Sequence, residues 1–553
     1  MTPLQTTIHP CRGNPLAAKI TVWVRSVLFL VLFLSIVADA KAAIINAANC
    51  SLSAVQTAVN SAANGDTVSV PAGIAYWTNS LNISTDIQLI GAGMGQTIIV
   101  DEVPRINGHA TGIYWTTIPS GLPRLTGFTF QGGVTNNSGT FDGIITLNGH
   151  CSSMRVDHCG FMNLNSTAIY IENAVFGVID HCQIYSTNFH NGIVVENGQI
   201  GGDFGGAIGY GDVSWATPVQ WGTVNDFLYI EDCQFWWPNN PLSFVDDFAQ
   251  GSRVVFRYNM VTNCVFQNHG TESSGRFRGG RAFEIYGNNF VNNAPGAPSS
   301  VAFYFRSGSG VIFSNIVSGF SSFWTLVNFR AVDAFDTWGG ASGVNLWDSN
   351  NPAMLIGGTH TGTNSSFFLE DDSANWTPGQ WVGGYELENA SRGGTNEGTF
   401  ALIASNTATR IYYIGSVYTG PMLWTNGQSY KIFQCYHQLD QVGSGSGDLV
   451  SDSSFGNGHA INTTTGQPAW PHEVSEPVYQ WANTFNGVAN YSVGQDIGYV
   501  PPGNGNYNII QMGRDYFNNT PKPGYTPLIY PHPLTTLTNG LPNVAAPTNL
   551  RAY

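Results

Sequence analysis

The chain has 553 residues, enough for a large buried core, yet only 10% of them are charged, while Gly, Asn, Ser and Thr are abundant. That composition suits strands and turns better than solvent-facing helices. A net charge of −15 argues against nucleic acid as a partner and repels polyanions wherever no cation or local basic patch intervenes.

Arg12, Lys19 and Arg25 precede an apolar run from Val27 to Val37, and Ala38-Asp39-Ala40 fits a small-x-small cleavage site. Residues 1–40 read as a bacterial-type export signal. The run is too short for an ordinary membrane span, so the expectation is a secreted or cell-surface protein without stable membrane insertion. An uncleaved anchor is the alternative. Without residues 1–40, which hold three basic groups and Asp39, the net charge becomes −17. Next, Leu52, Val55, Ala58, Val59 and Ala62 share one face of a helix over 51–63.

From there on one phrase recurs. Val-Asp-His-Cys at 156–159 returns as Ile-Asp-His-Cys at 179–182 and as Ile-Glu-Asp-Cys at 230–233. Later copies exchange Cys for Asn: Phe256-Arg257-Tyr258-Asn259, Ile285-Tyr286-Gly287-Asn288 and Ile312-Phe313-Ser314-Asn315. The spacings are 23, 51, 26, 29 and 27 residues, with the 51 read as about two periods. A drifting period in the twenties, with short β-rich runs and Gly/Asn turns, is the signature of stacked β-coils. The fold expected is all-β: a right-handed parallel β-helix over 44–345, with a short N-terminal helix capping its open end. Cys159, Cys182, Cys233, Asn259, Asn288 and Asn315 then form one column. Its cysteines stack as small hydrophobes, since strands ~4.8 Å apart offer poor disulfide geometry.

Residues 360–434 break this template. Phe367–Asp372, Trp376, Trp381–Tyr385, Arg410–Ile414 and Tyr430–Ile432 read as a small all-β insert whose aromatics either form its own core or stack on sugars. Residues 435–540 return to Gly-, Pro- and Asn-rich loops with a few strands such as Val478–Trp481, a C-terminal β-helix and loop region expected to lie along the helix or cap its far end. Ala546–Ala552 resembles the first strand of a fibronectin type III module, so 546–553 is read as the start of one.

Alignment of the copies sorts side chains into columns. With Val156, Ile179, Ile230, Phe256 and Ile285 inward, the next residue of each faces out: Asp157, Asp180, Glu231, Arg257 and Tyr286. Stacked carboxylates repel unless solvated, protonated or bridged, and calcium would suit Asp157, Asp180 and Glu231. The alternative makes them turn residues bonded to nearby backbone. The chain has four Lys and 16 Arg, and seven of those Arg fall between 253 and 330. Such a concentration suggests an anion site, since the guanidinium fork grips carboxylates in two-point fashion. The partner expected is an acidic polysaccharide. A lyase would use His269 or an arginine as base, so Arg257, Arg278 and Arg281 join His269 as catalytic candidates. Arg276, Arg306, Trp236, Trp237, Asp246 and Asp247 are the substrate-binding candidates. Surface ion pairing of the same arginines is the alternative, and a non-catalytic glycan binder using Trp236-Trp237 is a further one.

The helix, Gly65–Gly73 and Ile87–Gly93 together resemble the N-terminal coils of pectate-lyase-superfamily β-helix proteins over about residues 44–345. The Asp-His-Cys phrases resemble a pectate-lyase segment whose Asp binds calcium, which implies that role for Asp157 and Asp180. The Arg-x-Pro-x-x-Arg segment carrying that family's base is absent. Residues 258–290 resemble a segment of alginate- and chondroitin-type lyases, with His269 at the motif histidine and Asn268 in place of its Arg. That family relies on a Lys base, and beyond residue 40 only Lys41, Lys431 and Lys522 occur, outside the repeats. Asn225-Asp226, Asp246-Asp247, His269-Gly270 and Arg306 follow the order of the polygalacturonase motifs, with Gly308 where Lys is expected; this implies hydrolysis by paired carboxylates.

Overall fold

A computed structural model describes residues 42–104, 111–119, 121–133, 143–163, 166–187, 191–198, 211–238, 244–270, 278–294, 301–326, 355–382, 385–391, 396, 399–415, 422–434, 440–445, 473–492, 510 and 512–536. The export signal and the 546–553 strand lie outside the described residues. Among the described residues no helix is long and apolar enough to cross a membrane.

The chain winds through three parallel sheets in rotation. Thr67–Val70, Gly73–Trp77 and Leu81–Ile83 make one coil, and Gln88–Gly91, Thr97–Asp101 and Ile113–Thr117 the next, each strand pairing in parallel with its equivalent. Rotation continues through Ser309–Phe313, Ile316–Ser318 and Ser322–Leu326. The strand Gly143–Asp157 turns the corner from the third sheet into the first, joining them into one 20-stranded sheet; the second has 11 strands. This is a parallel β-helix. Ser51 caps the helix Leu52–Asn60, whose Val55, Ala58 and Val59 are buried against the first coil.

The repeated phrase encodes one edge of every coil. Its apolar residues Val156, Ile179, Ile230, Phe256, Ile285 and Ile312 pair in one row and are wholly buried. Two places later the backbone turns through the left-handed region: φ is 49° at His158, 53° at His181, 54° at Asp232, 57° at Tyr258 and 69° at Gly287. Short polar residues and glycine tolerate that conformation best. Gly287 also faces the Tyr258 ring, 2.6 Å from where a Cβ would sit.

The residue after the turn points inward, as expected, and the asparagines bond amide to amide. Asn259 Nδ2 donates to Asn288 Oδ1 at 3.1 Å, Asn288 Nδ2 to Asn315 Oδ1 at 2.9 Å, and Asn315 Nδ2 to Asn483 Oδ1 at 3.0 Å. At the other end, Cys233 N donates to Asn259 Oδ1 at 2.9 Å. Cys159, Cys182 and Cys233 are buried free thiols in the same column.

One reading of the repeat is corrected. Asp180 pairs directly with Glu231, so the 51-residue spacing is one coil with a long excursion and not two coils. The coils resume beyond 345: Val478–Trp481 pairs with Ser309–Phe313, and Tyr516–Asn518 pairs with Val478–Trp481. Between them, Leu355–Thr359, Phe368–Glu370, Tyr385–Asn389, Phe400–Asn406, Arg410–Gly415 and Ser429–Gln434 form a six-stranded antiparallel sheet. Trp376, Trp381, Trp424 and Tyr430 pack inside it, so the insert's aromatics are mainly its own core.

Candidate functional site

The long excursions, 197–227, 269–281 and 327–477, all leave the third sheet and return to the first. The arginine cluster sits at that corner and fastens them down. Arg253 pairs with Asp226 at 2.5 Å and donates to the carbonyls of Ser214 and Thr217; burial lowers its guanidinium to about 10. Arg278 binds Asp440 at 2.7 Å and Glu473 at 3.0 Å, lying over the Trp215 ring. Burial and the Asp440 charge push the Glu473 carboxyl well up. Arg281 faces Glu476 at 2.6 Å across the same ring, outside hydrogen-bond geometry. Arg253, Arg278 and Arg281 are all 0% exposed. Buried themselves, they act as structural clamps: an anion reaching Arg278 would have to displace the buried Asp440 and Glu473, and one reaching Arg253 or Arg281 would compete with Asp226 or Glu476, each partly exposed.

The neighbouring candidates are placed as follows. Arg306 donates from Nε to the Asn268 carbonyl at 2.9 Å and is nearly buried. His269 is half-buried, with Nδ1 2.9 Å from the Gly270 carbonyl. Arg276 lies outside the described residues. Asp246 pairs in register with Ile193 and Phe266, and Asp247 with Val194 and Gln267; their side chains lie outside the described residues.

On the first sheet the outward column is an ion-pair ladder under a strap. Asp157 accepts two hydrogen bonds from Arg124 at 2.7 Å, Asp180 two from Arg155 at 2.9 Å, and Glu231 pairs with Arg257 at 2.6 Å. Burial alone would raise the Asp157 carboxyl, but hydrogen bonds from Arg124 and His158 outweigh it and hold it well below the usual range. Calcium takes about six to eight oxygen ligands. These carboxylates are already neutralised by guanidinium, so the column does not fit calcium, and Arg257 is withdrawn from catalysis. Residues 522–536 run back across the coils above them. Tyr525 Oη donates to Glu284 at 2.7 Å, the Leu528 carbonyl accepts from Arg257 at 2.9 Å, Tyr530 Oη donates to Asp232 at 2.8 Å, and the Thr535 carbonyl accepts from Arg155 at 3.3 Å. Burial raises Glu284, beneath the strap, to about 7 and lowers His532, in the strap itself, to about 4.

The second sheet is different. Its outward columns read Gly160, Gln183, Gln234, Met260, Asn289, Ile316 and Met162, Tyr185, Trp236, Thr262, Val291, Ser318, with no charged residue. Tyr185 and Trp236 are cross-strand partners with ring centroids 4.7 Å apart, tilted by 44°. Trp236 is 37% exposed, and Ile74, Tyr76, Met260 and Ile316 on the same sheet are more so. Trp237, one residue on, is fully buried in the coil core and is not a binding residue. Strand alternation decides this: adjacent residues leave a strand on opposite sides. Tyr185 is missed by the sequence reading, although it occupies Trp236's place one copy earlier.

The third sheet presents a polar face that the sequence reading also passes over. Glu172 and Glu196 are direct cross-strand partners. Asn148 Nδ2 donates to Glu172 at 3.1 Å and to Tyr114 at 2.6 Å, and Tyr170 Oη donates to Glu196 at 2.5 Å.

No protein-family model matches the chain, and no curated protein matches it. Among solved structures it is similar to ORF18 of Geobacillus virus E2, at 16% identity over 56% of this chain and 60% of that one, with a TM-score of 0.28. This chain thus spans less than two thirds of that neighbour's length. It is also similar to the tailspike gp61 of Pseudomonas phage phi297, at 11% identity over 69% and 91% of the two chains, with a TM-score of 0.18. At such scores the fold assignment rests on the strand pairing itself and on neither neighbour.

Proposed function

We propose that this protein binds a polysaccharide along the outward face of its second sheet. The observation behind this reading is the pair of half-buried Tyr185 and exposed Trp236, flanked by Gln183, Gln234 and Thr262 in outward columns that carry no charge among the described residues. A pyranose ring has an apolar C–H face that suits an aromatic ring and hydroxyls that suit amide side chains. An exposed apolar row on a solvent-facing sheet also marks a contact surface. Coils repeating at ~4.8 Å would let an extended glycan meet equivalent groups on successive rungs. Among the described residues its outward columns hold no counter-charge for uronates, so the reading favours neutral sugar rings, or uronates read through their hydroxyls. β-Elimination is not favoured, because Arg257, Arg278 and Arg281 are buried in ion pairs.

The test is a panel of neutral polysaccharides and polyuronates, with binding followed by affinity electrophoresis and calorimetry at low and high salt. Binding should be nearly indifferent to salt, and Trp236→Ala should weaken it about tenfold. Unchanged binding by Trp236→Ala and Tyr185→Ala, or binding abolished by salt, would sink the reading. A second reading rests on Glu172 and Glu196, since two carboxylates at neighbouring-strand spacing are what acid–base cleavage of a glycosidic bond uses. New reducing ends that vanish in Glu172→Gln, with binding retained, would establish it.

A further inference from the structure

We propose that His158 and His181, with Asp232 as third donor, form a binding site for a divalent transition-metal ion such as zinc, nickel or copper. The three residues occupy the same turn on successive coils, because Asp157, Asp180 and Glu231 pair in one row. All three hold the left-handed backbone conformation, with φ of 49°, 53° and 54°. The repeat therefore stacks their side chains along one edge. The two imidazoles lie 4.9 Å apart and within 3° of parallel.

Each ring already carries on Nδ1 the kind of partner that a metal-bound histidine has. His158 Nδ1 lies 2.7 Å from Asp157 Oδ2, and His181 Nδ1 lies 2.9 Å from Asp180 Oδ2. A carboxylate on Nδ1 fixes that proton, leaves the Nε2 lone pair outward, and raises its basicity; this is the usual outer partner of a metal-bound histidine. Among the described residues neither Nε2 has a hydrogen-bond partner, and neither is sealed from solvent, the side chains being 13% and 39% exposed. Asp157 and Asp180 are not ligands themselves, since guanidinium groups occupy them. Asp232, one coil further on, accepts from Tyr530 through Oδ1 and acts electrostatically on His181. Its second oxygen would have to swing inward to join the two nitrogens, because the donor atoms of these three residues do not all lie within 4.8 Å of one another as they stand.

That set of two imidazole nitrogens and one carboxylate suits zinc, nickel or copper far better than calcium. Two nitrogens held ~2.1 Å from one ion stand roughly 3–3.5 Å apart. The rings must therefore tilt toward each other from their 4.9 Å stacking, and His181, 39% exposed, has room to do so. A bound ion would link adjacent coils and, through Asp232 and Tyr530, the strap.

The experiment uses the full chain without an affinity tag. Copper(II) is added for paramagnetic resonance and nickel chloride for calorimetry, each against a chelator blank. Bound copper should show coupling to two imidazole nitrogens, and one of them should disappear in His158→Asn and in His181→Asn. Asparagine accepts the left-handed turn, so both variants should fold, with a midpoint in chelator lowered only by loss of the Nδ1 bond and the ring stacking. Each should weaken nickel binding about tenfold or more, whereas Asp232→Asn should weaken it while keeping both nitrogen couplings. The site is refuted if wild-type copper shows fewer than two nitrogens, or if His158→Asn or His181→Asn binds nickel like wild type. Should one variant fail to fold, the other, on a separate coil, and the wild-type spectrum still decide.

Discussion

Asn288→Leu tests the amide column at its centre. Asn288 Nδ2 donates to the Phe256 carbonyl at 2.9 Å and to Asn315 Oδ1 at 2.9 Å, while its Oδ1 accepts from Asn259 N at 2.9 Å and from Asn259 Nδ2 at 3.1 Å. Leucine removes all four bonds without freeing space for water. Two partners keep other contacts: Asn259 Nδ2 still reaches the Ile230 carbonyl, and Asn315 Oδ1 still accepts from the backbone of residue 288. The backbone N–H of Asn259 is left orphaned in the core, and the Phe256 carbonyl loses the amide. At about 1–3 kcal/mol for the orphaned buried group and about 1 kcal/mol for each of the other three bonds, the cost is roughly 4–6 kcal/mol. Asn288→Cys should cost less, because cysteine already fills this place at Cys159, Cys182 and Cys233, where the thiol leans on backbone carbonyls. Guanidinium unfolding measures the cost, and amide exchange at Asn259 reports the orphan directly. A midpoint for Asn288→Leu within about 1 kcal/mol of wild type, or unchanged protection of the Asn259 amide, would refute the column as a source of stability.

Arg257→Ala leaves Glu231 buried and unpaired and should cost roughly 3–5 kcal/mol, most of it recovered in Arg257→Met with Glu231→Gln; urea titration of the double-mutant cycle measures this. Glu284, raised from 4.5 to about 7, holds a proton in the native state that the unfolded chain releases. Its contribution is therefore complete below about pH 4.5 and lost as pH climbs to about 7, a fall of roughly 3 kcal/mol. His532, lowered from 6.5 to about 4, works in the other direction, its contribution lost as pH drops from about 6.5 to about 4. Relative to wild type, Glu284→Gln should therefore lose less stability in urea titrations between about pH 4.5 and 7, since Glu473 and His532 contribute equally to both proteins; parallel pH profiles for the two contradict the burial argument. Gly287→Ala should cost about 1–2 kcal/mol from its left-handed backbone and the Tyr258 ring, and calorimetric melting alongside Tyr258→Ala separates the two causes.

The coil register was readable because it is local and repeated. Each copy of the phrase states an inward apolar residue, an outward residue, a turn residue and a column residue, and six copies agree on the alternation. The one period misread, between 182 and 233, fell where an excursion of undetermined path interrupts the count. Gln480-Trp481-Ala482-Asn483 is a further copy, overlooked because the insert separates it from the rest, yet Asn483 completes the amide column. Trp236 and Trp237 show the limit of a side-by-side reading: alternation sends one to solvent and one to the core.

The sequence by itself determined the coil, its columns and the identity of every charged group, because strand alternation and left-handed turns act over neighbouring residues. Only the tertiary structure decided what those charges face. Arg278 finds Asp440 and Glu473, and Arg257 finds the carbonyls of Leu528 and Ile529, across separations of more than 160 residues. No local pattern carries that pairing. A guanidinium aimed outward from a sheet is a substrate grip when the face is open and a structural clamp when a later segment covers it, and in this chain the strap and the excursions cover the first sheet and its corner while leaving Trp236 of the second exposed.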